Sequence, residues 1–498
     1  MITESYTLKP PFHRIILVYF GYAVLMLIGH IRTFLSFIFY RKKLLQSDNG
    51  YPTLLRDFEH FYRRHLYTRT SDCFNRPITS APGPHITILD RETTDGINFS
   101  FTGTKTTAIN LSSYNYLGFA GDNSPYCSTK AINDLFRYGT TTGLLGIGTA
   151  IPSINKELEG RVAQFVGHEA AMIIAQGFAT NEAIIPSFVN SSTLLLSDNL
   201  NHSSIVAGCK RSKGIVRKFK HNDINDLKFH LEEALIHGNN GQPWSKIIVL
   251  VEGIYSMEGE LVPLKEIVEL KKTLPFYLYV DEAHSIGAIG RTGKGVCEYW
   301  GVDPKEVDIL MGTFTKSFGS VGGYVSGSKS LIDYLKRSSE ASMCTSHMSA
   351  PSVRQVLCVL DILEGKVIEE PPEERLFKLR ENTRFFRRKL RSIGLEALGD
   401  LDSPVIPILL YHCAKIPAFS RECLKRGLAV VVVGFPATEI LLSRVRFCVS
   451  AAHSKEDLEL ALEVINEVAD ITNTRYLKKK YVNHAKFLLE SERSGSFN

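Results

Sequence analysis

The chain has 498 residues, 44% hydrophobic and 22% charged, and its 58 basic against 52 acidic side chains leave a net charge of +6. That length buries one large core or two moderate ones and exceeds a single minimal domain. The basic excess gathers near the ends, at Arg41-Lys42-Lys43 and Lys478-Lys479-Lys480, which favours a membrane-facing surface over a nucleic-acid groove; nine scattered cysteines without a C-x-x-C pair exclude a disulfide framework and a zinc site and imply a reducing compartment.

Near the N-terminus, Ile15–Gly29 is an apolar run of 15 residues that resumes as Phe34–Tyr40 beyond His30 and Arg32. Fifteen residues fall short of the roughly 20 that span hydrocarbon as a helix. The segment therefore reads as a membrane element that spans with help from a partner or lies at the interface, with a soluble core helix as the remaining reading. A cleaved signal peptide fits less well, because Arg41-Lys42-Lys43 follows where small residues would mark a cleavage site. That basic flank puts everything after it on the cytosolic side. Residues 44–92, punctuated by Asn75-Arg76-Pro77 and Ala81-Pro82-Gly83-Pro84, read as a connecting arm.

From about 165 to 330, strand-like runs alternate with helix-like ones: Ala171–Ala175, Thr193–Leu196, Gly214–Phe219, Ile247–Val251, Phe276–Val280 and Ile309–Met311. The alternation predicts βαβ units and a mostly parallel sheet. Pro371-Pro372 breaks the pattern before a charged helix that includes Arg380–Arg391. Val405–Leu410, Ala429–Val433 and Arg444–Val449 then read as short strands of a smaller lobe, closed by a helix from Lys455 to about Asp470.

The chemistry concentrates at strand ends. In Gly312-Thr313-Phe314-Thr315-Lys316-Ser317-Phe318-Gly319 a lysine sits among hydroxyls and glycines just after the run Val307–Met311. Such a lysine can hold an aldehyde cofactor: pyridoxal phosphate needs an amine for its Schiff base, hydroxyls and N–H groups for its phosphate, and an acid for its pyridine nitrogen. The acid is Asp281, at the end of the run Phe276–Val280 and 35 residues before Lys316. An Asp there also serves as a helix N-cap. The Asp281-Glu282-Ala283-His284 run matches a helicase box too, but no G-x-x-x-x-G-K-[ST] loop accompanies it. Thr313 and Thr315 can point hydroxyls at a phosphate, and Gln176-Gly177-Phe178, where a strand gives way to a helix, offers free N–H groups. His202, after another strand, either stacks on the cofactor ring or caps the helix that follows.

These residues together amount to a family resemblance. Gly312–Gly319 (GTFTKSFG), Val251–Gly259 (VEGIYSMEG), Tyr279–Gly287 (YVDEAHSIG), Val431–Thr438 (VVVGFPAT) and Arg446–His453 (RFCVSAAH) occur in order. Over about residues 54 to 472 the chain resembles the α-oxoamine synthases, and among them the catalytic long-chain-base subunits of serine palmitoyltransferases. The resemblance implies a fold-type I α/β transferase: a large domain on a mostly parallel sheet, a smaller C-terminal α+β domain and an N-terminal membrane helix. Its expected divisions are a membrane-associated segment (1–53), an arm contributing to the small lobe (54–124), the large cofactor-binding domain (125–370), the small domain (371–475) and a basic tail (476–498).

The implied activity is the decarboxylating condensation of L-serine with a long-chain acyl-CoA to 3-ketosphinganine, with pyridoxal 5'-phosphate as cofactor and no metal. By the same resemblance Lys316 forms the covalent link to the cofactor, Asp281 pairs with the pyridine nitrogen and His202 stacks over the ring. Ser256 and His284 lie near the phenolic oxygen, while Thr313, Thr315, Gly177 and Phe178 border the phosphate. Arg446 meets the substrate carboxylate, although other arginines nearby compete for that role. Thr345 and Ser346 match a segment that reaches a phosphate across a dimer interface. A heterodimer with a lysine-lacking long-chain-base subunit, small regulatory membrane subunits and an endoplasmic reticulum location, with the catalytic domain cytosolic, are also implied.

The match breaks at Tyr138–Glu159, where Leu145-Gly146 replaces a Thr-Arg pair and Asn155 replaces a histidine. That segment borders the substrate entrance in relatives. A divergent paralogue with altered acyl or amino-acid substrate, or a low-activity regulatory subunit, is the alternative reading.

Overall fold

The computed structural model describes residues 12–39, 67, 70–96, 98–121, 124–141, 152–435 and 437–493. Two sheets organise them. In chain order, β1 (His85–Glu92) and β2 (Ser100–Leu111) belong to the smaller sheet. The larger takes β3 (Ala170–Ile174), β4 (Thr193–Asp198), β5 (Ile215–Phe219), β6 (Lys246–Glu252), β7 (Tyr277–Asp281), β8 (Ile309–Thr313) and β9 (Gly323–Gly327). β10 (Val405–Tyr411), β11 (Leu428–Val433) and β12 (Ser443–Cys448) complete the smaller one.

The seven strands of the larger sheet run in the order β3-β9-β8-β7-β6-β4-β5. Strands β4 to β8 pair in parallel, and β9 alone runs antiparallel between β8 and β3. Their sequences are nearly unbroken apolar runs because both faces are covered: every residue of β4 and β8 is buried, as are six of the seven in β6. One consequence governs the rest of the structure. The C-terminal ends of β4, β6, β7 and β8, carrying Asp198, Glu252, Asp281 and Thr313, share one edge of the sheet, where open α/β sheets present ligand sites.

The smaller sheet has the order β1-β2-β11-β12-β10, with only β2 and β11 parallel. Phe386 and Leu390 of the helix Pro372–Ser392, Phe419 and Cys423 of the helix Lys415–Lys425, and Leu458 and Ile465 of the helix Lys455–Ile471 pack on it as one core. The last of these helices starts with a capping box between Ser454 and Asp457. β1 and β2 fall outside the strands expected from the sequence, although Ile86 and Ile88 of β1 alternate inward. Only the last four residues of β2 are buried, so its exposed threonines hide the alternation that marks a strand.

Phe12–Phe39 is one continuous helix, and its window Phe12–Leu35, of mean hydropathy 1.8, is long and apolar enough to cross a membrane. Its first half touches the small sheet. The Arg14 guanidinium lies 3.9 Å from Glu396 and over the rings of Tyr411 and Tyr476, at 4.9 and 4.1 Å, while Val18 is buried with Leu409 and Leu442. Gly21 leaves room for the His412 ring. Phe20, Leu27 and Phe34 remain exposed. At the other end, Lys479–Arg493, read as part of a basic tail, is a helix. Arg41-Lys42-Lys43 and Leu145-Gly146 lie outside the described residues.

Candidate active site

Asp281 ends β7 and is 3% exposed. Both of its oxygens accept N–H hydrogen bonds, Oδ2 from Asn181 Nδ2 at 2.8 Å and Oδ1 from the Ala283 backbone at 2.8 Å. Asn181 is fully used: it also donates to Ser204 Oγ at 2.9 Å and accepts from the Tyr279 hydroxyl at 2.6 Å. Asp281 caps no helix here. A turn follows it, and its carboxylate faces the strand-end edge.

Lys316 lies in the loop between β8, the strand beside β7, and β9. Burial lowers its pKa to about 8, against the opposing pull of the Asp281 carboxyl. Its ammonium stands 5.5 Å from the centre of the Tyr114 ring, and the Arg446 guanidinium lies over the same ring at 4.6 Å. Both cations thus lie near the one Tyr114 ring. Burial raises its own phenol to about 12, so it stays neutral.

Arg446 projects from β12 of the smaller sheet across to the loop after β6. There its Nη1 donates to the Ser256 carbonyl at 3.3 Å and touches Met257 Sδ at 3.6 Å. The side chain is buried, yet its Nε has no hydrogen-bond partner among the described residues. A buried unpaired N–H is costly, and a carboxylate at this point would satisfy it. Arg444, the other arginine of the pair, is committed elsewhere, to Glu258 at 2.9 Å and to the Met257 and Leu442 carbonyls.

His202 both caps and faces the site. Its Nδ1 accepts from the Ser204 N–H at 3.2 Å at the start of the helix Ser203–Arg211 and lies 2.7 Å from Ser204 Oγ. Because Ser204 Oγ already accepts from Asn181, its own proton goes to His202 Nδ1, which leaves the ring proton on Nε2. Burial lowers the His202 pKa and keeps the ring neutral. Phe178 stands edge-on to it at 5.9 Å. His284 is enclosed as well: Nδ1 lies 2.7 Å from the Tyr116 hydroxyl, and Tyr114 packs against the ring at 5.0 Å. Burial, reinforced by the charge of Lys316, holds His284 well below the usual histidine pKa.

Gly177, Thr313 and Thr315 form a further cluster. Helix Gly177–Ile184 starts without a side-chain cap among the described residues, which leaves its first N–H groups available. A Cβ at Gly177 would come within 2.6 Å of Thr313 Oγ1, which shows how closely these two elements approach. Thr313 Oγ1 donates to the Gly322 carbonyl at 2.9 Å and lies 2.8 Å from Thr315 Oγ1, while Thr315 itself is exposed. Thr345 and Ser346 stand apart from these groups, lining a small cavity with Asn155, Glu159 and Lys336. Asn155 is buried and donates to the Met348 carbonyl at 3.3 Å.

The strand-end edge therefore brings together a low-pKa amine, a carboxylate held by two donors, two neutral histidines, a free helix N-terminus beside paired threonines and a buried arginine with an unused N–H. That donor set fits pyridoxal phosphate and an amino-acid carboxylate. The sequence motifs do not indicate Asn181, Tyr114, Tyr116, Ser204 or Glu252. Asn181 lies further along the helix that begins at Gly177, beyond Gln176-Gly177-Phe178, and Glu252 lies inside the VEGIYSMEG match. The two tyrosines sit in Ser112-Ser113-Tyr114-Asn115-Tyr116, which carries no spacing signal.

Residues 106–465 match the family model for class I and II aminotransferases. The chain is 47% identical to long chain base biosynthesis protein 2b of Arabidopsis thaliana, over 94% of this chain and 96% of the relative. It is 42% identical to serine palmitoyltransferase 2 of Dictyostelium discoideum over 94% and 96%, and 43% identical to human serine palmitoyltransferase 3 over 96% and 88%. Among solved structures, Sphingomonas wittichii serine palmitoyltransferase superposes with a TM-score of 0.73 at 25% identity, covering 84% of this chain and 99% of that one. An S. paucimobilis serine palmitoyltransferase with a bound PLP–myriocin aldimine gives 0.73 at 23% identity, over 84% and 98%.

Proposed function

Because the chain belongs to the class I and II aminotransferase family, and within it to the serine palmitoyltransferase group, we propose that it condenses L-serine with a long-chain acyl-CoA, releasing CO2 and free coenzyme A and forming 3-ketosphinganine. The observation that carries this reading is the pairing of Lys316 with Asp281 on neighbouring strand ends, the amine lowered to about 8 and the acid tied to Asn181. Pyridoxal phosphate, when bound, supplies an aldehyde carbon for Lys316 and a ring that withdraws electrons from the substrate α-carbon.

The residues would divide the work as follows. Thr313, Thr315 and the N–H groups at Gly177 and Phe178 would hold the phosphate; His202 would cover one face of the ring. Asp281 would keep the pyridine nitrogen protonated, held in place by Asn181 and the Ala283 N–H. His284, with its Nδ1 occupied by Tyr116, would present Nε2–H to the phenolic oxygen beside Ser256. Arg446 would bind the serine carboxylate, which orients the amino acid with its Cα–H toward Lys316. Lys316 Nζ, neutral for a large fraction of molecules near pH 8, would then take the Cα proton and later return one. Orientation of this kind contributes by fixing the reacting groups before the reaction starts.

The membrane reading fits the substrates. Helix Phe12–Phe39, with Phe20, Leu27 and Phe34 exposed, would hold the catalyst at a lipid surface where a long acyl chain and its ketone product partition. An endoplasmic reticulum membrane, a cytosolic catalytic domain, a lysine-lacking long-chain-base partner subunit and small regulatory subunits belong to the same proposal. The test is CO2 release with a long-chain acyl-CoA and serine, glycine or alanine in turn, after co-expression with a lysine-lacking partner. Release with serine supports the reading; release with glycine or alanine alone redirects it to another α-oxoamine synthase. A cofactor-loaded protein with no release in any of the three points to the regulatory paralogue.

A further inference from the structure

Glu252, to which no role has been given so far, ends β6 directly beside Asp281 in the parallel β6–β7 register. Each carboxyl is 3% exposed. Asp281 has two N–H donors; Glu252 Oε1 has a different partner, the backbone N–H of His202. That hydrogen bond pins the start of the His202 turn from below, while the Tyr279–Asn181–Ser204 chain holds the imidazole from the side. Two buried carboxyls in adjacent register cannot both ionise cheaply, and the one with more hydrogen-bond donors keeps the charge. By its donors that one is Asp281. The other charged or titratable groups near Glu252 are Lys316 from the β8–β9 loop, Glu258 from the loop after β6, and the phenols of Tyr255 and Tyr114. Burial, with Asp281 next, raises Glu252 well above the usual carboxylate range.

We propose that Glu252 is a positioning residue, the protonated half of a carboxyl pair with Asp281, which fixes the His202 turn over the cofactor site without adding a second negative charge there. The proposal rests on the reading of the site given above. Its neutrality has a function. An ionised Glu252 would pull the Lys316 amine toward its protonated form, because a second buried carboxylate nearby favours the ammonium. It would also compete with Asp281 for the pyridine proton. A neutral carboxyl accepts the His202 N–H and does neither.

The experiment compares wild type, E252Q and E252A in the full chain. Glutamine is neutral and can still accept the N–H; alanine can do only the first. In the apo protein at neutral pH, infrared difference spectra of wild type against E252Q should contain the carbonyl band of one buried protonated carboxyl, sensitive to deuteration. Pyridoxal phosphate affinity should fall about tenfold in E252A, the size of one lost buried hydrogen bond, and by clearly less in E252Q. The pH midpoint for capture of the cofactor by Lys316 should stay put in E252Q. Absence of the protonated-carboxyl band, a loss in E252Q as large as in E252A, or unchanged affinity in E252A would each overturn the proposal. The infrared band needs no bound cofactor, so its absence is distinguishable from a failure of wild type to take up pyridoxal phosphate, which would instead defeat the proposed function.

Discussion

The Asn181 amide donates to the Asp281 carboxylate across 2.8 Å, joining the first helix of the larger sheet to the strand end that carries the acid. Asn181 spends its other two hydrogen bonds on Ser204 and Tyr279, so a single buried side chain sets the position of the acid and of the His202 turn. Charge balance and ring placement are thereby coupled through one amide.

Replacing Asn181 with leucine should show that coupling. The change leaves Asp281, Ser204 and Tyr279 each short of a partner, at a cost of about 1–3 kcal/mol per stranded group. The expected outcome is a lowered melting temperature together with weaker pyridoxal phosphate binding, read by thermal unfolding with and without cofactor. An Asn181→Asp variant should bind cofactor worse still, because it sets a carboxylate against Asp281.

The Lys316 amine offers a pH test. Its pKa is depressed from 10.5 to about 8 by burial, so the neutral, nucleophilic fraction grows as pH rises through about 8. Capture of added pyridoxal phosphate by the apo protein, followed by its visible absorbance, should accelerate between pH 7 and 9 and level off above. A midpoint near 10.5 would mean an ordinary solvated lysine.

His221 tests the periphery of the site. It lies between Asp198 at 2.9 Å and Glu260 at 3.1 Å and packs edge-on against Tyr255 at 4.3 Å. Burial lowers its pKa, but the two carboxylates outweigh that and lift it to about 10. The sign follows from the raised value: the contribution is complete below the unfolded value of about 6.5 and drains away as pH climbs through about 10. Wild type should therefore lose stability over that window, and His221→Gln should lose this slope. The variant should also be less stable at pH 6 by about 3–5 kcal/mol, because a buried cation is removed from between two acids.

The proposed role of Arg446 predicts a split between substrate and cofactor binding. Arg446→Lys keeps the charge but surrenders the planar fork and the unpaired Nε–H. The KM for serine should rise by about tenfold or more while pyridoxal phosphate affinity changes little. Equal losses in both would assign the arginine a structural role on the Tyr114 ring instead.

Legibility in the sequence tracked burial. Lys316 and Asp281 stand out because continuous apolar strands deliver them; such runs are required where a parallel sheet is covered on both faces. His202 and the threonines follow from the same strand ends. The residues that complete the site did not announce themselves. Tyr116 reaches His284 from 168 positions away, and no local pattern encodes a contact of that span. Arg446 crosses from the smaller sheet, and only the family resemblance singled it out. β2 was hidden by its exposed threonines, and β9, framed by Gly323 and Gly327, lacks the apolar run of its neighbours.

The most direct measurement compares wild type and Lys316→Ala, each co-expressed with a lysine-lacking partner and supplied with pyridoxal phosphate, serine and a long-chain acyl-CoA. In wild type the visible band of the lysine-bound cofactor should accompany CO2 release and ketone formation. The variant should lose the lysine-linked band and turnover together. Persistence of both in Lys316→Ala would contradict the assignment of this lysine and, with it, the site built around it.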